Sequence, residues 1–172
     1  MASEIGRRDL IKITAAAALV SHADAAGAHR FFTDDEFALV DELTEMIIPT
    51  DEHSGGARAA RVAEFIDAVL AEAFQPSERD DWRKGLARVN ALSREMHGSD
   101  FLKCAAAERI AVLTRMGKNE TEPRATEEVF FGRLKAFTVH GYYTSKIGIH
   151  DDMGYLGNTL QQGDYAGELP GQ

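Results

Sequence analysis

Apolar residues recur at steps of three and four from Phe31 to Tyr143, the spacing of one helix face, and no alternation of period two lasts long enough to predict a sheet. The pattern predicts an all-α, single-domain bundle of about five helices. The first begins where Thr33 and Glu36 stand at capping-box spacing and Asp34, Asp35 and Glu36 suit the positive end of a helix dipole. Phe37, Val40, Leu43 and Ile47 form its stripe, and Pro49 ends it. Residues 51–56, DEHSGG, read as a loop. A second helix spans 59–74, with Val62, Phe65, Ile66, Val69 and Leu70 on one side, and Gln75-Pro76 stops it. The third, 78–97, opens on a Ser77–Asp80 cap, turns Trp82, Leu86, Val89, Leu92 and Met96 inward and closes at Gly98. A fourth, 105–116, buries Ile110, Leu113 and Met116, and the polar loop 117–123 leads to a fifth helix from Thr126.

That fifth helix is the centre of the chain. Phe130, Leu134 and Phe137 follow one another at four and three residues, and Val129 and Phe131 widen the stripe. The pattern runs into Thr138-Val139-His140-Gly141-Tyr142-Tyr143, which holds no acid and suits a surface meant to be covered. Tyr142 and Tyr143 are a candidate contact pair; the alternative puts one ring in the chain's own core and leaves the other half exposed. Past Ser145, six glycines from Gly148 to Gly171 and Pro170 rule out a long helix and predict an extended arm over 146–172. Ile147, Ile149, Tyr155, Leu156, Leu160 and Tyr165 favour an arm laid on a partner over a solvated tail.

Composition narrows the classes. A chain of 172 residues with 44 % hydrophobic and 27 % charged content fits one globular domain. Its net charge of -9 argues against a nucleic-acid partner and against adsorption to an anionic membrane. Cys104, the single cysteine, allows no intramolecular disulfide, thiolate cluster or c-type haem attachment, and its apolar neighbours read it as a small buried hydrophobe.

The N-terminus carries an export pattern. Arg7 and Arg8 form a twin-arginine pair, residues 13–20 supply a short alanine-rich apolar run, and Ala23-Asp24-Ala25 offers a small-x-small cleavage site, with a second at Ala26-Gly27-Ala28. The apolar run is too short to span a bilayer. A plain amphipathic helix with two chance arginines is the alternative, and the order of basic pair, apolar run and cleavage site favours export. The expected organisation is a signal peptide over 1–25, a helical domain over 26–145 and the arm over 146–172.

No Gly-x-Gly-x-x-Gly fingerprint, phosphate loop or Gly-x-Ser-x-Gly elbow occurs. His53 beside Asp51 and Glu52 lies in a loop, where neighbours seldom converge on one ion. His140, His150 and Asp151 are the best set from which a stand-alone metal-binding protein or metal-dependent enzyme could be drawn, although the intervening glycines fix no geometry.

The run FFGRLKAFTVHGYYTSKIGI, followed by Met153-Gly154-Tyr155-Leu156-Gly157-Asn158, resembles the C-terminal signature of the gluconate 2-dehydrogenase subunit 3 family. The resemblance implies a small non-catalytic subunit, exported to the periplasm, that accompanies a large FAD-dependent sugar or sugar-acid dehydrogenase and often a cytochrome subunit carrying haem c. It supplies no catalytic, cofactor or metal residue to transfer, so FAD would belong to the partner and the partner would choose the substrate. With no cofactor of its own, the chain would carry the export tag for that partner.

Overall fold

The computed structural model describes residues 29–73 and 75–155, and every regular element among them is helical. Six α-helices follow in order: α1 (Asp34–Ile47), α2 (Gly56–Ala59), α3 (Val62–Glu72), α4 (Pro76–His97), α5 (Ala106–Met116) and α6 (Thr126–Tyr143). A 3₁₀ turn at Phe101–Lys103 precedes α5, and a π-helical turn at Ile147–Asp152 follows α6. The export pattern around Arg7 and Arg8 lies outside the described residues, as do Leu156, Leu160 and Tyr165.

Local chemistry explains most of the helix ends. Thr33 and Glu36 form the expected capping box: the Glu36 amide donates to Thr33 Oγ1 at 3.2 Å and the Thr33 amide donates to Glu36 Oε2 at 2.9 Å. Gly98, at φ 77°, closes α4 as expected. The Ser77–Asp80 cap does not form. Helix α4 starts at Pro76, whose ring fixes φ and whose missing N–H is no loss in a first turn, so Pro76 opens this helix rather than merely stopping the one before. Arg79 reaches back from α4 to cap α3, its Nε donating to the Leu70 carbonyl at 2.8 Å. The expected helix over 59–74 is also broken, because Arg61 takes a left-handed conformation, φ 57°, between α2 and α3.

The stripes meet around Trp82, which is fully buried. Phe130 and Phe137 of α6 present their rings edge-on to it, at 5.3 Å and 5.4 Å between centroids, and Phe32 lies at 6.1 Å. Helix α6 packs against each of the other five helices. Its approach to α4 depends on Gly85: a Cβ there would stand 2.0 Å from Phe130 Cδ2. Three inward assignments need correction. Met96 is 40 % exposed, Ile110 59 % and Val129 48 %. In α5 the buried residues are Val112 and Met116, because a helix of three turns offers two rival apolar faces and only packing selects one.

Two glutamates open α6, and both are buried. Arg88 Nε donates to Glu127 at 3.0 Å, and Arg115 pairs with Glu127 at 3.4 Å and Glu128 at 3.2 Å. Glu128 also accepts from the backbone amides of Arg124 (3.0 Å) and Ala125 (3.1 Å) and from Asn119 Nδ2 (2.7 Å). The Arg124 amide first, then the Ala125 amide, Asn119 and Arg115, pull the Glu128 carboxyl down to about 2 against the opposing effect of burial. A third buried carboxylate, Asp67 of α3, accepts the backbone amides of Arg30 (2.6 Å), Phe31 (3.0 Å) and Phe32 (2.9 Å) and holds that segment on the bundle. Cys104 is buried as expected, with Ser93 Oγ 3.1 Å from its sulfur.

Gly85→Ala drives a methyl into the Phe130 ring and is expected to lower stability by about 1–3 kcal/mol in urea unfolding, despite the better helix propensity of alanine. Glu128 has its folded pKa below the usual 4.5, so its stabilisation is complete above 4.5 and is lost as pH falls toward about 2. Glu128→Gln is therefore expected to be less stable than the unaltered chain at neutral pH and to converge with it in acid, measured by urea unfolding across that range.

Candidate interaction surface

Helix α6 is apolar on both sides. Phe130, Leu134, Thr138 and Tyr142 face the bundle and are buried, while Val129, Ala136, Val139 and Tyr143 face outward and are exposed. With Gly132, the outward residues recur at steps of three and four, so they form a single stripe along the helix. Sequence periodicity missed this stripe because it sought one apolar face. The signal was present in the excess: α6 holds more apolar residues than one buried face requires.

The two tyrosines divide. Tyr142 is 1 % exposed, its hydroxyl hydrogen-bonded to that of Ser54, so it fills this chain's own core and leaves the expected contact surface. Tyr143 is 43 % exposed and stands edge-on to Tyr142 at 5.0 Å. The Asp152 carboxylate beside it, helped by burial, holds the Tyr143 phenol above its ordinary range. Thus the reading of one core ring and one half-exposed ring describes the pair.

The segment after α6 is not extended at its start. Gly148, read as a helix breaker, instead lets the backbone fold back, since a Cβ there would stand 2.2 Å from the Tyr142 carbonyl oxygen. Ser145 caps the turn, its hydroxyl accepting from the Gly148 amide at 3.0 Å, and the Met153 amide donates to the Gly148 carbonyl at 3.1 Å across a π-type turn. Ile147 packs against the core and Ile149 is half-buried, so both serve this chain's own structure as much as any surface. Met153 and Tyr155 are exposed, at 62 % and 47 %, in the turn and the residues that follow it.

His140, His150 and Asp151 do not gather. The His140 ring lies 5.7 Å from Phe65, and His150 Nδ1 is 2.7 Å from the Tyr155 carbonyl oxygen. Among the described residues no group of three or more His, Cys, Asp or Glu side chains could hold a metal ion, and no helix is long and apolar enough to cross a membrane.

A basic groove of about 250 Å³ opens between α4 and α6 beside Val129. Lys84, Arg124 and Arg133 line it against one carboxylate, Asp81, with Gly85 and Phe130 between. Arg133 pairs with Asp81 at 3.3 Å, and Arg124 pairs with Glu122 at 3.5 Å. Lys84 makes no ion pair among the described residues.

No curated protein and no solved structure matches the chain. The family model described as Gluconate 2-dehydrogenase subunit 3 matches residues 34–159, from the first helix to just past Tyr155. That span takes in all six helices and well over half of the sequence, and the chain belongs to the gluconate 2-dehydrogenase subunit 3 family.

Proposed function

We propose that this chain is the non-catalytic small subunit of a periplasmic FAD-dependent sugar, sugar-acid or glycoside dehydrogenase, carrying the twin-arginine signal for the complex and stabilising the catalytic flavoprotein. The family match over residues 34–159 carries the proposal. The apolar end of the bundle supports it: Tyr143, Met153 and Tyr155 leave large side chains in solvent where the chain leads into the residues read as an arm. FAD belongs in this reading to the large subunit, and haem c to a cytochrome third subunit. The residues that would serve the contact are Tyr143, Ile149, Tyr155, Leu156, Leu160 and Tyr165, with Arg7 and Arg8 addressing the pair to the export machinery. A folded, cofactor-loaded passenger is what twin-arginine export accommodates, so the tag on this subunit would serve its partner.

Expression of the full chain together with a large FAD-dependent dehydrogenase subunit from the same genome tests the proposal. A yellow complex of the two is expected in the periplasm, and the double change Arg7→Lys, Arg8→Lys is expected to hold both in the cytoplasm. A flavoprotein that reaches the periplasm active and alone would defeat the escort role.

A further inference from the structure

The outward stripe of α6 asks for a cover. Val129, Gly132, Ala136, Val139 and Tyr143 span five positions of one helix face, and a Cβ built on Gly132 would meet nothing within 4 Å. Gly132 and Ala136 make the middle of the stripe low, so another backbone can come close there, while Val129 and Tyr143 stand up at the two ends. Half-exposed valines at both Val129 and Val139 are costly to leave in water, and the bundle already has its core without them.

Charge selects the occupant. On α6 itself the charged or titratable side chains flanking the stripe are Arg133, Lys135 and His140, because Glu127 and Glu128 are buried at the helix start. The groove at the Val129 end adds Lys84 and Arg124, giving three cations against Asp81 in its wall. Some of this charge is answered within the chain: Arg133 by Asp81, Arg124 by Glu122 and Lys135 by Glu120. Among the described residues Lys84 is left, and the groove keeps an excess of positive charge in a chain whose net charge is -9. A second copy laid parallel on this face would bring its own cations to these, which disfavours that pairing.

We infer that the outward face of α6 docks an apolar segment of the catalytic partner subunit, with an acidic side chain of that segment entering the Lys84–Arg124–Arg133 groove. This rests on the proposed accessory-subunit role and adds to it a second contact, independent of the arm. The low centre of the stripe suits a helix laid along α6, and the groove fixes its register by pairing one carboxylate at a single end. The stripe supplies area, and the groove supplies discrimination among partners.

The test uses the full chain expressed with the flavoprotein. Ala136→Glu places a charge at the low centre of the stripe without touching the core, and is expected to weaken retention of the flavoprotein at least about tenfold while the isolated chain melts as before. Lys84→Glu is expected to weaken retention and to flatten its dependence on salt, since it removes the steering charge. A labelling readout avoids reliance on affinity. In Ala136→Cys the new thiol should react rapidly with a maleimide in the isolated chain, against a buried Cys104, and at least about tenfold more slowly in the complex, as a covered site does. If both charge variants hold the flavoprotein like the unaltered chain, or the thiol reacts equally in both states, this inference falls while the accessory-subunit reading stands. If the unaltered chain captures no flavoprotein at all, that reading falls and takes this one with it. Protection of the thiol by self-association of the isolated chain would also overturn it.

Discussion

The bundle depends on how closely α4 and α6 approach at the crossing of Gly85 and Phe130. The Phe130 ring occupies the space a side chain at Gly85 would take, and from there Phe130 and Phe137 both meet Trp82 edge-on. One missing methyl thus sets the depth at which the most connected helix sits. Interiors packed at crystal-like density transmit such a setting to every neighbour, and α6 has all five other helices as neighbours. The buried carboxylates Glu127 and Glu128 fix the same helix along its axis, tied to Arg88 of α4 and Arg115 of α5. Breaking such a pair leaves a lone charge in a dry place, so the tie resists sliding more than it adds to stability.

With its depth and its register both set, α6 cannot rotate its outward stripe into the bundle. A helix apolar on one side can settle by turning that side inward; one apolar on both sides keeps some apolar surface in water whatever its rotation. The exposed Val129, Ala136, Val139 and Tyr143 are therefore not slack in the packing. They are what remains after the inward face has been chosen, on a chain whose family is described as a subunit.

Features that depend on near neighbours in sequence were legible. The Thr33–Glu36 box, the closing Gly98, the buried Cys104 and the start of the last helix at Thr126 all follow from residues within one or two turns. Features decided across the bundle were not. Nothing near Ile110 or Met96 says that they face solvent, and only the position of α6 and the loop at Ser54 makes Tyr142 a core residue. Gly148 misled for the same reason: its local preference is to break a helix, but its contact with the Tyr142 carbonyl requires a residue with no side chain. Arg61, a non-glycine with φ of 57°, gave no local sign of the break it makes. The likeness carried by the phenylalanine pair, the Gly141-Tyr142-Tyr143 triplet and the segment at Gly154-Tyr155 was legible outright, because a motif survives without knowledge of which of its rings are inward.

The three amides gathered by Asp67 bear on more than local order. Arg30, Phe31 and Phe32 are anchored to the middle of a helix more than thirty residues away in sequence, and Phe32 reaches into the core toward Trp82. Anything attached upstream must leave the body from that one root, whose position is set by the finished tertiary structure and by nothing earlier. A chain still unfolded has no such root, so the point from which the backbone before Arg30 departs is defined only once the bundle has packed.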